Sequence, residues 1–274
     1  MISPRSPLAV LFASLIVSAS GDLAAMERTP TPRLSVVPVK VKPSVRQSWL
    51  SAISSDDADW IIQMLADHEP QELLPLTASN GKSALMVAAK KGSLPLARLL
   101  VGSGANVNEM TETQGTPFMF AILGNNLELA RWLLDQGADI NTIGSNGWTA
   151  LTIAAAKGNV RLLQWLIKQG AETQVRDVYR FTPLMRAVDN GYVEAAAVLL
   201  SLVETDVNAR DEYDNTPLHH AVAAGNAPMV NLLLEHNANP NLVNREGHSP
   251  MQLARELASD STTILQVLGE VGKH

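Results

Sequence analysis

Thr182-Pro183-Leu184-Met185-Arg186-Ala187 is the stretch on which the reading of this chain turns. It recurs as Thr116-Pro117-Phe118-Met119-Phe120-Ala121 and as Thr216-Pro217-Leu218-His219-His220-Ala221. Weaker copies begin at Ser83-Ala84-Leu85, Thr149-Ala150-Leu151 and Ser249-Pro250-Met251. The starts at 83, 116, 149, 182, 216 and 249 lie 33, 33, 33, 34 and 33 residues apart. A fixed period of this size marks a stacked array, in which each unit is too small to shield its own apolar face and buries it on a neighbour.

Each copy reads as the start of a helix. The Thr hydroxyl can accept from a free backbone N–H, and Pro at the first helical position gives up an N–H that would have no partner. The apolar residue after it opens a buried face, and the small Ala lets the next unit approach. Gly92, Asn125, Gly158, Gly191 and Gly225 then stop the helix, being residue types that tolerate the left-handed backbone. A second helix follows with an apolar pair such as Leu133-Leu134 or Leu233-Leu234, and a turn such as Gly137-Ala138-Asp139-Ile140-Asn141 closes the unit.

Together the Thr-Pro-Leu start, the central stop, the leucine-rich second helix and the Gly-Ala-Asp/Asn-x-Asn turn resemble the ankyrin repeat family over residues 47–274. The resemblance implies an all-α ankyrin-repeat solenoid of helix–turn–helix repeats with β-turn or hairpin loops. Five central repeats would lie between two capping units, divided at about 47–78, 79–111, 112–144, 145–177, 178–211, 212–244 and 245–274. It further implies recognition of a protein through the turn tips and the concave inner-helix face. A fold of this kind names neither a reaction nor a partner.

Composition narrows the class. There is no cysteine, so no disulfide, thiolate nucleophile or cysteine-held metal is available, and the absence fits an oxidising compartment. Of the net charge of −6, residues 1–46 contribute six cations against two carboxylates, or +4, leaving −10 for the remainder. An acidic body argues against nucleic acid, whose affinity comes from cations neutralising phosphates.

Residues 1–25 read as a secretory signal peptide. Arg5 supplies a positive start, Leu8 to Val17 an apolar run, and small residues follow, placing cleavage between residues 19 and 25. The run is shorter than the roughly 20 apolar residues that span a bilayer. Residues 26–46 read as a Pro-rich basic linker whose prolines, Pro43 included, break any helix. The unit from residue 47 has an inner helix at Trp49–Ile53 and an outer one at Trp60–Leu65, with Asp56, Asp57 and Asp59 between as helix-start carboxylates rather than a calcium loop. Thr262, Thr263, Gln266 and Glu270 would give the final helix a polar outer face.

Trp148, Tyr179, Phe181 and Tyr213 fall on three successive turn tips, four of the twelve aromatics in the chain. Interfaces are enriched in such residues, so these four are the primary partner-binding candidates, Trp148 and Phe181 having the alternative of stapling one turn to the next. The inner face adds Lys157, Arg186, Asp189, Asn190 and His220, with Arg186 reading as the intrahelical partner of Asp189 three residues on. Trp132 and Trp165 occupy matching outer-helix positions and read as packing between repeats. His219 is the histidine of the repeat start, expected to hydrogen-bond the turns.

No HExxH, phosphate-cradling GxxxxGK[ST] or Gly-x-Ser-x-Gly element is present. Adjacent His219 and His220 would point apart on a helix. The unit 178–211 carries one extra residue within Ser201–Thr205 and lacks the Gly-Ala turn, so a local irregularity is expected there. The reading is a monomeric, non-enzymatic bacterial scaffold, without cofactor or metal, that binds one protein in the periplasm, a periplasmic or envelope enzyme, to stabilise, inhibit or localise it. Second comes a secreted effector binding a host protein, and last an enzyme with a site in a surface groove.

Overall fold

The computed structural model describes residues 41–256, 264–266 and 268. The segment read as a signal peptide, most of the linker, and Thr262, Thr263 and Glu270 lie outside the described residues. Two helices, α1 (Pro43–Ser54) and α2 (Ala58–Asp67), form the first pair, and a single turn, α3 (Pro70–Leu73), follows. Then come α4 (Ala84–Lys91) with α5 (Leu94–Gly102), α6 (Pro117–Leu123) with α7 (Leu127–Asp135), and α8 (Ala150–Ala156) with α9 (Val160–Lys168). The series closes with α10 (Pro183–Asp189) and α11 (Val193–Leu200), α12 (Pro217–Ala223) and α13 (Ala227–Glu235), and α14 (Pro250–Glu256). No strand occurs among the described residues.

The repeated start works as its chemistry requires. The hydroxyls of Ser83, Thr116, Thr149 and Thr182 accept the N–H three residues on at 3.4, 3.3, 3.3 and 3.2 Å. Pro117, Pro183, Pro217 and Pro250 each begin a helix. The central stops Gly92, Asn125, Gly158, Gly191 and Gly225 have φ of 75°, 61°, 64°, 74° and 67°. Asn125 thus adopts the left-handed form that its glycine neighbours take at no steric cost. Inner helices stack in sequence, α4 on α6, α6 on α8, α8 on α10, α10 on α12 and α12 on α14, each also packing on its outer partner where one is described. Leu133, Leu166 and Leu233 are fully buried between the layers, as are Ala121, Ala187 and Ala221 at the close contacts.

Successive tips are tied by one backbone bond per step. The N–H groups of Glu112, Ser145, Val178, Glu212 and Arg245 donate to the carbonyls of Asn80, Thr113, Asn146, Tyr179 and Tyr213 at 2.9–3.1 Å. Gly147 lets the following turn come close: a Cβ there would stand 2.5 Å from the Asp177 Cα. Arg180 and Asp214 take the same left-handed backbone at the equivalent place, with φ of 62° each.

The linker reading needs one correction. Pro43 does not break a helix; it opens α1 at the first helical position, so residues 43–46 are helical. A proline removes an N–H that this position leaves unpaired in any case. Asp57 caps α2 through the Trp60 N–H at 3.0 Å, as a helix-start carboxylate should. Asp56 does something else: at φ 57° it turns back onto the next unit and pairs with Lys82 Nζ at 2.5 Å and Lys90 Nζ at 2.7 Å. Burial pushes the Asp56 carboxyl up, but the two ammonium groups outweigh it and hold it below the usual 3.8.

The extra residue does make a local irregularity. The outer helix α11 spans eight residues where α7, α9 and α13 span nine. In the regular units a buried or half-buried alanine after the left-handed Gly or Asn turns its N–H back to a leucine carbonyl: Ala105 to Leu100, Ala138 to Leu133, Ala171 to Leu166 and Ala238 to Leu233, at 2.9–3.0 Å. The corresponding carbonyl of Leu199 is met by the Thr205 hydroxyl at 2.7 Å. Val203 is pushed wholly into solvent, and a gap of about 10 Å³ remains against Leu184, Leu199 and Thr205. Asn108, Asn141 and Asn208 each accept a backbone N–H from the following turn at 2.8–3.0 Å, whereas Gln174 makes no such bond among the described residues.

Candidate functional site

The site grows from two buried carboxylates five residues ahead of a helix cap. Asp177 Oδ1 accepts the N–H groups of Tyr179 and Phe181, both at 2.9 Å, which fixes the turn before α10. Asp211 Oδ1 does the same for Tyr213 and Asn215 at 2.8 Å before α12. The second oxygen of each reaches the following helix. Asp177 Oδ2 takes Arg186 Nε at 2.8 Å and also Nη2, while Asp211 Oδ2 meets His220 Nε2 at 3.0 Å. The Asp177 side chain is completely shielded from solvent and that of Arg186 nearly so, at 0% and 15% exposure.

The Arg186 guanidinium is covered on the other sides by rings, 4.4 Å from the Phe181 centroid and 5.1 Å from that of Trp148. Phe181 in turn lies 4.9 Å from the His220 ring. Trp148, Arg186, Phe181 and His220 therefore form one ladder across three units. A desolvated cation between aromatic faces, with two of its N–H groups donated to one carboxylate oxygen behind it, is strongly held. Four predicted binding residues thus brace the tips: Trp148 and Phe181 take up the stapling position, and Arg186 and His220 join them.

The pairing expected of Arg186 is corrected here. Its partner is Asp177, nine residues back across the turn, and not Asp189. Asp189 instead faces the next unit, its Oδ1 lying 3.7 Å from His220 Nδ1. Asn190 caps the end of α10 by donating to the Arg186 carbonyl at 2.8 Å, and Lys157 is the exposed C-cap of α8. Outside the ladder, Tyr179 and Tyr213 stand out on adjacent tips with 53% and 61% of their surface exposed, beside Val178 at 58%. Their backbones are committed to the tip bonds and their rings are not buried.

Asp177 and Asp211 are functional positions that the repeat start alone does not single out. A signal existed: Thr111, Asp177, Asp211 and Asn244, all side-chain acceptors, stand five residues before the capping Ser or Thr. Thr111 accepts from Gly115, and Asn244 from Glu246 and His248, in the same manner. His219 behaves as the repeat start requires. Its Nδ1 accepts the Thr216 N–H at 3.1 Å, so the proton sits on Nε2 and is given to the His248 carbonyl at 3.0 Å. Burial holds its pKa below the usual 6.5, partly offset by that carbonyl. Trp165 packs against Phe118 with centroids 6.2 Å apart, under Arg131, in keeping with a role in packing.

Stacked helix pairs with a braced row of turn tips and an open inner face define a class, the helical-repeat interaction scaffold. Family models described as ankyrin repeats match residues 50–144 and 118–211, and a further one matches 202–254. The chain belongs to the ankyrin repeat family. The crystal structure of the human ASB11 ankyrin repeat domain superimposes with a TM-score of 0.68, covering 81% of this chain and 96% of that one at 23% identity. Palmitoyltransferase ZDHHC17 of Danio rerio is 42% identical over 76 residues, 27% of this chain and 12% of that protein. The mouse Ankyrin repeat and SOCS box protein 16 is 40% identical over 68 residues, 25% of this chain and 15% of that protein. Such matches cover a small part of each relative and lie within the repeats. Ankyrin repeats are protein-interaction modules, and no helix among the described residues is long and apolar enough to cross a membrane.

Proposed function

We propose that this chain is an exported, non-enzymatic ankyrin scaffold that holds one protein partner, an envelope enzyme, in the bacterial periplasm. The observation that carries the reading is the pair of solvent-facing tyrosines, Tyr179 and Tyr213, on adjacent tips whose backbones are pinned by Asp177 and Asp211. A rigid aromatic anchor loses little side-chain freedom on binding, which is why tyrosine concentrates in interface centres. Lys157, Asp189 and Asn190 supply a polar rim, and the ladder of Trp148, Phe181, Arg186 and His220 holds the tips in register. Export rests on residues 1–25, with the cysteine-free composition in agreement.

The test is a crosslinking pull-down from cells carrying the full chain or its Tyr179→Ala and Tyr213→Ala variants, with fractionation and N-terminal sequencing of the mature protein. One dominant partner is expected, recovered at least tenfold less with the double variant, from a protein cleaved between residues 19 and 25. Full recovery with the double variant removes the tyrosine face, and an uncleaved cytoplasmic protein removes export.

A further inference from the structure

The position just before each helix cap forms a column across the units: Lys82, Gly115, Trp148, Phe181, Asn215 and His248. Only Gly115 lacks a side chain. Its backbone is not left-handed, so the conformation does not ask for glycine. A Cβ there would stand 3.1 Å from Thr111 Oγ1 and 3.4 Å from the edge of the Phe120 ring, pointing toward the space that Trp148 and Phe181 fill in the next two units. That space is open. A hollow of about 340 Å³ lies on the inner side between α6 and α8, walled mainly by Met119, Phe120, Leu123, Ile153 and Trp148, with Thr113, Ser145 and Asn146 at its tip end.

The inner column behind it changes character along the stack. Phe120 and Ile153 occupy the places that Arg186 and His220 take further on. The hollow is therefore apolar where the rest of the ladder is charged, and Leu123 at its mouth is 41% exposed. At the far ends of the neighbouring inner helices, Lys91 and Lys157 occupy equivalent positions on either side of Gly124. Both are exposed and form no ion pair among the described residues, whereas Lys90 is tied to Asp56. Of the acidic residues in this part of the inner face and tips, Glu109 is turned onto Ser83 and Glu112 stands on a tip.

We propose that this hollow is where the partner is anchored, and that its occupant is one bulky apolar side chain of an extended acidic segment whose carboxylates lie against Lys91 and Lys157. The volume corresponds to roughly eleven waters at about 30 Å³ each, enough for a leucine, methionine or phenylalanine side chain. Two solvated cations beside an apolar pocket favour carboxylates flanking the anchor and disfavour a basic segment. The proposal rests on the scaffold reading above and names the chemistry of the partner that the reading leaves open.

A random peptide library displayed on phage is panned against the full chain, and the enriched peptides are synthesised and titrated by fluorescence anisotropy. Enriched sequences should share a Leu, Met or Phe within a few residues of two or more Asp or Glu. Their affinity should fall at least tenfold with Gly115→Phe, which plugs the hollow as Trp148 and Phe181 do their own places. It should fall several-fold with Lys91→Glu and Lys157→Glu combined, and weaken with added salt. Leu123→Asp at the mouth serves as a second blocking variant should Gly115→Phe fail to fold by circular dichroism. Enriched peptides without carboxylates, or peptides indifferent to both blocking variants, overturn the proposal. So does a dimer in sedimentation that Gly115→Phe abolishes, since the occupant is then a second copy. Loss of the cellular partner with the tyrosine variants but not with Gly115→Phe sinks the hollow and leaves the scaffold reading standing.

Discussion

The turns after α9 and after α11 protect the same kind of leucine carbonyl with different donors. After α9, Gly170 reverses the chain and the Ala171 N–H covers Leu166 at 3.0 Å. After α11 the chain is one residue longer, no alanine is in place, and the Thr205 hydroxyl covers Leu199 at 2.7 Å. What the period conserves is thus a satisfied carbonyl above a buried leucine, not a particular turn. A longer turn is tolerated where a side chain can replace the lost N–H, at the cost of an exposed Val203 and a looser fit around Leu199.

The largest effects should come from the leucines themselves. Leu→Ala truncation in a core costs about 2–5 kcal/mol, less where the surroundings can collapse. Leu166→Ala should therefore fall near the top of that range and Leu199→Ala near the bottom, read from urea unfolding of both variants. Equal costs would show that the two turns are packed alike.

Asp177→Ala should come close behind, at about 3–5 kcal/mol, because it strands a shielded guanidinium and two turn N–H groups. Asp214→Asn, which keeps a residue type that tolerates the left-handed backbone and removes only the charge facing exposed Arg180 and Arg245, should cost less than about 1 kcal/mol. A small loss at Asp177 would mean that the aromatic ladder holds the tip unaided.

Thr205→Val keeps the shape and removes the hydroxyl; the Leu202 N–H still donates to the Leu199 carbonyl at 3.1 Å, so the cost expected is that of one hydrogen bond, about 0.5–1.5 kcal/mol. Replacing Ser201–Thr205 by Lys-Gln-Gly-Ala restores the turn after α9 and the 33-residue spacing. That variant should unfold at a urea concentration equal to or above the parent's. A lower midpoint would mean that the longer turn is required by its surroundings.

His219 adds a dependence on pH. Its folded pKa is depressed, so the unfolded chain binds the proton first and stability is lost as pH falls below about 6.5 toward the folded value. Urea midpoints between pH 7.5 and 5 should decline in the parent and decline less in His219→Gln. The smallest change is expected at Tyr179→Ala and Tyr213→Ala, whose exposed rings should contribute within about 0.5 kcal/mol of nothing to stability. A larger loss would convert the binding tips into structural ones.

The array was legible because its causes are local and repeated. Thr182 and Pro183 start a helix by short-range bonding, Gly191 stops one by backbone freedom, and the period states how the pieces stack. The site was legible only in part. Tyr179 and Tyr213 are out in solvent as their register suggests, but Arg186 pairs with Asp177 and not with Asp189, although helical spacing of three or four residues is what a sequence marks as near. The turn doubles back, and Asp177 becomes nearer. Likewise Pro43 in a run of prolines looked like a breaker, while its place at the first turn makes it a starter. The hollow beside Gly115 escaped notice because a missing side chain leaves no residue to point at.

Among the described residues no side-chain hydrogen bond or ion pair spans more than 37 positions, the longest running from Asn126 to Ala89. Each unit thus touches its immediate neighbours and nothing farther. Duplicating or deleting one whole unit in the interior would present the flanking units with the same kind of surface they already meet. Length in such a molecule is free to follow the size of what it grips, and descendants can grow or shorten without first learning a new way to fold.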